Sequence, residues 1–261
     1  MRNILLGFSG GKSSAFMAIF MSLAPEYKND NILYCFANTG KEHEETLIFV
    51  EKVRIQFNLP IIYLEALVNT EKGKGTYYTQ KTFETLSRNG EPLLDVMNKY
   101  GNASKLYKHC TREGKESPLN KYAKEYFKGE KYLNAVGIRA DEKHRLSKNP
   151  KKIYPLNEMN IDIKFINDWW GRQEFNLEIE EHQGNCDFCF LKSKKKRLRL
   201  LSEGLNVDWW NDCEKKNARE KQPIFDVRNG LSVQNFIDMN NGTREKDLTN
   251  DVDFDCYCKS T

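Results

Sequence analysis

Apolar residues along the first third of the chain fall into two alternating patterns. Asn3 to Phe8 is a short apolar run ending on Ser9-Gly10-Gly11. Behind it Phe16, Met17, Ile19, Phe20 and Leu23 recur at helical spacing, with Pro25 beyond them. A strand, a tight turn and a helix are predicted here. Asn31 to Ala37 repeats the buried-strand pattern, and Asn38-Thr39-Gly40 turns it. Leu47, Phe49, Val50, Val53, Ile55 and Phe57 predict a helix over His43 to Asn58, and Ile61 to Leu64, after Pro60, a third strand. Strands alternating with helices imply a parallel sheet with right-handed crossovers.

The pattern loosens from Asn69 to Tyr107, where Gly73, Gly75, Gly90, Pro92 and Gly101 interrupt it. A loop with short helices covering a site is expected there. Pro118 to Phe127 predicts a helix, and Tyr132 to Gly137 another strand. Beyond Pro150 the sequence changes character, with tryptophan pairs, a C-x-x-C and a basic helix. The expected fold is α/β: a Rossmann-like parallel sheet over residues 1–160, then a smaller, mostly helical, cysteine-containing region over 161–261. Asp-Trp-Trp occurs at 168–170 and again at 208–210, but the flanking residues do not match, so there is no repeat. Each pair is expected to turn one indole into helix packing rather than toward nucleic-acid bases.

A length of 261 residues allows one large domain, or one with an appendage. Mean hydropathy is −0.71, and no apolar run approaches membrane-span length, which excludes a transmembrane helix. The apolar start is too short for a secretory signal, so a cytoplasmic protein is expected. Charge is nearly balanced, with 41 Lys+Arg against 37 Asp+Glu, a net +4. That suits an enzyme handling anionic nucleotides without marking a nucleic-acid binder. Seven cysteines, an odd number, read as metal, cluster or redox residues before structural disulfides.

Ser9-Gly10-Gly11-Lys12-Ser13-Ser14 falls between the first strand and the first helix, where an open α/β sheet places its chemistry. Glycines let the backbone approach a ligand, the helix start offers unpaired N–H groups, and the serine hydroxyls can bond phosphate oxygens. The G-x-x-x-x-G-K-[ST] spacing of a Walker loop is absent.

This loop resembles the PP-loop of the adenine nucleotide alpha hydrolase superfamily, and the chain as a whole resembles its phosphoadenosine phosphosulfate (PAPS) reductase-like branch. Three further segments fall in that branch's order: Phe36 to Glu42 with Glu45-Thr46; Cys110-Thr111 with Lys115 and Pro118; and Gly137 to Glu142 with Arg145. The resemblance implies that Ser9, Gly10, Gly11, Lys12, Ser13 and Ser14 hold nucleotide phosphates. It places Asn38, Thr39 and Gly40 beside the adenosine. Lys115, Arg139 and Arg145 would act at the phosphate or sulfate end, where a guanidinium fork and a compact ammonium suit a terminal anion. The alternative for Arg139 and Arg145 is a surface salt bridge with Asp141 or Glu142, and for Lys115 a solvated helix face. ATP or PAPS is the implied cofactor, with magnesium as a companion ion. Two features depart from the family. Ser13 stands where ATP-splitting members carry Asp, and the tail reads Asp255-Cys256-Tyr257-Cys258 in place of the reductases' Glu-Cys-Gly-Leu-His.

Cys186-Asp187-Phe188-Cys189 follows Gly184-Asn185, a turn that suits two thiolates facing one ion. Cys110, Cys186, Cys189 and either Cys256 or Cys258 are the candidate ligands for zinc or an iron–sulfur cluster, the latter found in resembling relatives such as the phosphorothioation protein DndC. Cys35 and Cys213 are expected to be structural. The basic run Lys192, Lys194, Lys195, Lys196, Arg197 and Arg199 offers a nucleic-acid or nucleotide surface, or a solvated helix face opposite the stripe Leu191, Leu198, Leu201 and Leu205.

The function expected from these features is an adenine-nucleotide-dependent enzyme in sulfur-related group transfer. The alternatives are a DndC-like or tRNA-thiolation-like ATP pyrophosphatase acting on nucleic acid, and a non-catalytic nucleotide-sensing module. Oligomeric state is left open.

Overall fold

The computed structural model describes residues 1–104, 106–219, 226, 230–246 and 248. The first apolar run forms β1 (Asn3–Phe8), and α1 (Lys12–Leu23) follows across the glycine turn. Next come β2 (Asn31–Asn38), α2 (Glu44–Gln56) and β3 (Ile62–Val68). β4 (Thr76–Lys81) and α3 (Glu91–Tyr100) occupy the stretch expected to be mostly loop. α4 (His109–Thr111) runs through a wide π turn, Arg112–Glu116, into α5 (Ser117–Tyr126). β5 (Leu133–Ala135), a 3-10 turn over Ala140–Arg145, β6 (Lys152–Ile153), α6 (Pro155–Glu158) and α7 (Ile163–Trp170) follow. The described chain continues with α8 (Lys194–Ser202), α9 (Asp208–Lys216) and α10 (Val233–Asn240).

The sheet order is β4-β3-β2-β1-β5-β6. All pairings are parallel except β3 with β4, which is antiparallel from Val68↔Thr76 to Tyr63↔Lys81. The expectation of a parallel sheet thus holds for five strands, and the departure is one hairpin at the edge. Thr76, Tyr77, Tyr78 and Thr79 favour strand, but an edge strand buries little, so its pattern is faint. The chain leaves β1 toward β2 on one side and returns to β5 on the other. The β1 end is therefore the topological switch point, the position at which such sheets bind ligands.

Alternation along the strands makes two cores. Ile4, Leu6, Phe8, Tyr34, Phe36 and Tyr63 face α1, α2 and α7, whereas Leu5, Leu33, Cys35, Ala37 and Leu64 face α5 through Leu119, Ala123 and Phe127. Trp170 belongs to the first core, has no exposed surface, and donates its indole N–H to the Lys12 carbonyl at 3.0 Å, which fixes the start of α1. A third apolar cluster joins Leu93 and Met97 of α3 to Phe188, Phe190, Leu198, Trp210, Cys213 and Phe236. As expected, one indole of each tryptophan pair is buried, Trp170 and Trp210.

The basic run only partly follows its predicted outward direction. Leu198 and Leu201 are buried on the predicted stripe, but so are Lys192, Lys194 and Arg197. Arg197 lies 4.2 Å over the Phe236 ring and pairs with Asp226. Lys195 and Arg199 are exposed, so the run is divided between interior and solvent. The physical reason is that long stems can be buried where their heads find partners, as Lys192 does at the Cys186 carbonyl and Arg197 at Asp226. Among the described residues no helix is long and apolar enough to cross a membrane.

Candidate functional site

The loop after β1 is built to leave its donors unused. Gly10 sits at φ +83° and a Cβ there would lie 2.6 Å from Thr46 Cγ2, so both backbone and space demand glycine. Gly11 caps α1 with extended φ −94°, and a Cβ there would meet nothing nearer than 3.9 Å. Glycine at the cap provides no side-chain acceptor, and the first turn of α1 contains no acidic residue. Among the described residues, the N–H groups of Gly10, Gly11, Lys12 and Ser13 find no acceptor. Ser9 and Ser14 brace the loop internally, with Ser9 Oγ 3.0 Å from Ser14 Oγ and Ser14 Oγ donating to the Gly11 carbonyl at 2.9 Å. Orphan donors on a left-handed turn at a helix start form an anion-binding concavity. Burial lowers the Lys12 pKa, and among the described residues no carboxylate pairs with this lysine. The loop therefore combines free backbone donors with a partly buried cation.

Arg139 and Arg145 approach from the 3-10 turn. Arg139 Nη1 donates to Ser13 Oγ at 3.2 Å, while Nε and Nη2 hold Asp141 bidentately at 3.0 and 2.9 Å. This ion pair holds the Asp141 carboxyl below its ordinary pKa. Glu142, 4% exposed, lies 3.4 Å from Arg139 Nη1 and 2.5 Å from Arg145 Nη1. The salt bridges weighed from sequence therefore exist: Asp141 is exposed, as expected of a surface pair, whereas Glu142 is buried, and together they hold Arg139 beside Ser13. Serine at position 13 meets Arg139 through a neutral hydroxyl, where an aspartate would cancel its charge.

Lys115 is buried rather than solvated. The π turn swings it inward, and its Nζ stands 2.9 Å from Glu42 Oε1, whose side chain has no exposed surface. Glu42 also accepts from Thr39 N and Thr39 Oγ1, each at 2.9 Å. Burial alone would raise the Glu42 carboxyl; the Lys115 ammonium and the Thr39 bonds outweigh it and hold the pKa below its ordinary value. Asn38 gives both amide hydrogens to Glu65 Oε1 at 2.6 Å and Ser87 O at 2.8 Å, and accepts from Gly40 N at 3.1 Å. The Asn38 and Thr39 side chains thus shape the turn, and its backbone is bonded as well, with the Thr39 carbonyl accepting from Leu93 N at 3.3 Å.

The cysteine segment reaches this site from far along the chain. His43 N donates to Asn185 O, and Asp187 N to Lys41 O, each at 3.0 Å, so that Glu42 and Cys186 form an antiparallel bridge. Asn185 Nδ2 donates to the Ser9 carbonyl at 2.9 Å. Lys41 Nζ pairs with Asp187 at 2.6 Å and lies 4.9 Å from the Trp209 ring centroid, and Trp210 Nε1 donates to Asp187 Oδ1 at 2.8 Å. Lys192 Nζ donates to the Cys186 carbonyl. Cys186 and Cys189 are buried, and Cys110 packs against the apolar cluster that contains Phe188 and Phe190. Among the described residues no three His, Cys, Asp or Glu side chains are placed to hold one ion. Cys256 and Cys258 lie outside the described residues. Burial raises the thiol pKa of Cys35, and that of Cys213 to about 11, consistent with inert packing.

Sequence reasoning named the loop and the basic residues but missed their carboxylate partners. Glu42 was quoted only within a motif, and Asn185 only as a turn residue. Neither carries a local signal, because what defines each is a contact formed at long range.

A model of the phosphoadenosine phosphosulfate reductase domain matches residues 3–242. An uncharacterized nin region protein of Escherichia phage lambda is 34% identical over 195 residues, covering 74% of this chain and 67% of the relative. An uncharacterized protein of Methanocaldococcus jannaschii is 28% identical over 139 residues, covering 53% of this chain but only 23% of that relative. With a match running from the first residue of β1 to beyond α10, the chain belongs to the phosphoadenosine phosphosulfate reductase domain family.

Proposed function

We propose that the protein is an enzyme acting on an adenine nucleotide, ATP or PAPS, in sulfur-related group transfer. The observation that supports it best is the uncapped start of α1, whose orphan N–H groups face Arg139 across Ser13. In this reading the loop from Ser9 to Ser14 grips phosphates, with Lys12 and Arg139 supplying charge. Asn38, Thr39 and Gly40 border the adenosine. Lys115 and Arg145, each locked to a buried carboxylate, set the field at the reacting end. Cys110, Cys186 and Cys189 supply soft sulfur beside that end. A zinc ion or iron–sulfur cluster would need further ligands beyond the described set, and no step is assigned to one.

A product assay tests the reading. Pyrophosphate released from ATP marks a pyrophosphatase, sulfite released from PAPS a reductase, and tight binding with neither a nucleotide sensor. Failure of both nucleotides to bind overturns it. Arg139→Ala removes one donor and uncovers the Asp141 and Glu142 carboxylates near the phosphates. It should weaken nucleotide binding by about 1.5–3 kcal/mol in calorimetry. Lys at this position should restore only part, since the fork is lost.

The cysteines have their own test. Protein purified anaerobically should carry iron with acid-labile sulfide, or zinc, and Cys186→Ser with Cys189→Ser should lose it. Cys35→Ser should leave metal content unchanged. Metal-free wild-type protein would make the cysteines redox thiols or bystanders.

A further inference from the structure

The Asn185 side chain, from the distant cysteine segment, bonds the phosphate loop itself. Its Nδ2 donates to the Ser9 carbonyl at 2.9 Å, and its amide is 3.9 Å from the position a Gly11 Cβ would take. The residue is half-buried, and its own carbonyl accepts from His43 N at 3.0 Å, so its backbone is anchored to the entry of α2. Ser9 is where the chain leaves β1, and the orientation of its peptide sets where the following N–H groups point. A carbonyl turned toward the bound phosphates would repel them. Asn185 takes that carbonyl's lone pair and turns it away, toward the cysteine segment.

We infer that Asn185 is a positioning residue of the phosphate loop. It holds the Ser9 peptide so that the N–H groups of Gly10, Gly11 and Lys12 converge on the ligand. The inference rests on the nucleotide reading above and adds a residue to it. It also makes phosphate affinity depend on the segment that carries Cys186, the next residue in the chain.

Three variants and two ligands test this. Asn185→Ala should bind ATP about tenfold more weakly than wild type, with adenosine affinity unchanged, because only phosphates use the loop. Asn185→Asp sets a carboxylate against the Ser9 carbonyl at neutral pH and should lose about 100-fold. A merely structural role would weaken ATP and adenosine together and would not be partly rescued by another amide. Asn185→Gln, which keeps the amide but displaces it, should fall between wild type and alanine. Equal ATP binding by wild type and Asn185→Ala overturns the inference and leaves the nucleotide reading intact. Parallel loss of ATP and adenosine overturns it as well. Wild-type protein that binds no adenine nucleotide overturns both readings.

Discussion

Replacing Lys115 by alanine should lower folding stability by about 3–5 kcal/mol, because it strands a buried carboxylate. Glu42 has no exposed side-chain surface, and its counter-ion is 2.9 Å away. Chemical denaturation measures the loss. The control is Lys115→Met combined with Glu42→Gln, which removes both charges together and should recover most of the stability. A cost below about 1 kcal/mol for the alanine variant would place the pair in the class of weak surface bridges. The pH dependence follows from the direction of the Glu42 shift. Its folded pKa lies below the ordinary 4.5, so its contribution is fully present above that value. It is lost as pH falls through the depressed pKa, where the folded protein takes up the proton. In Lys115→Met with Glu42→Gln, that part of the acid sensitivity should be absent.

Gly11→Val should reduce ATP and PAPS affinity by about 100-fold, or roughly 2.7 kcal/mol, with little change in melting temperature. The contrast with Gly10 gives this prediction its force. Gly10 must be glycine for the protein's own sake, since a Cβ would strike Thr46 Cγ2 and φ is +83°. Gly11 is extended, with its nearest neighbours at 3.9 Å. Its small size serves close approach by something outside the chain. Gly10→Ala should therefore fail first in thermal unfolding, and Gly11→Val first in calorimetry. A Gly11→Val protein with undiminished nucleotide affinity would remove the loop from the site.

The fold was legible where local pattern and burial coincide. β1, β2 and β3 sit in the middle of the sheet, so their apolar runs are unbroken, and the glycine turn between β1 and α1 announces the loop. β4 was not legible, because this edge strand buries only Thr76 fully and so has no apolar run. The basic run shows a different failure. Lys192, Lys194 and Arg197 have the composition of a surface and the burial of a core. Only their partners, the Cys186 carbonyl and Asp226 among them, explain that. In the site, the cationic residues were legible from their motifs. Glu42, Glu142 and Asn185 were not, since each is defined by a bond to a residue whose side-chain direction the sequence does not state.

The bridge between Glu42 and Cys186 orders events during synthesis. Its two halves are separated by most of the chain, so closing it is a non-local step that follows sheet formation. While the polypeptide emerges from the ribosome, β1, α1 and β2 can assemble well before residue 185 appears. Until then the Ser9 carbonyl has no amide to hold it, and Lys41 has neither Asp187 nor Trp209. A nascent chain interrupted in α7 would carry the loop but not its brace. The contacts around the loop are thereby completed only once the cysteine segment has been made.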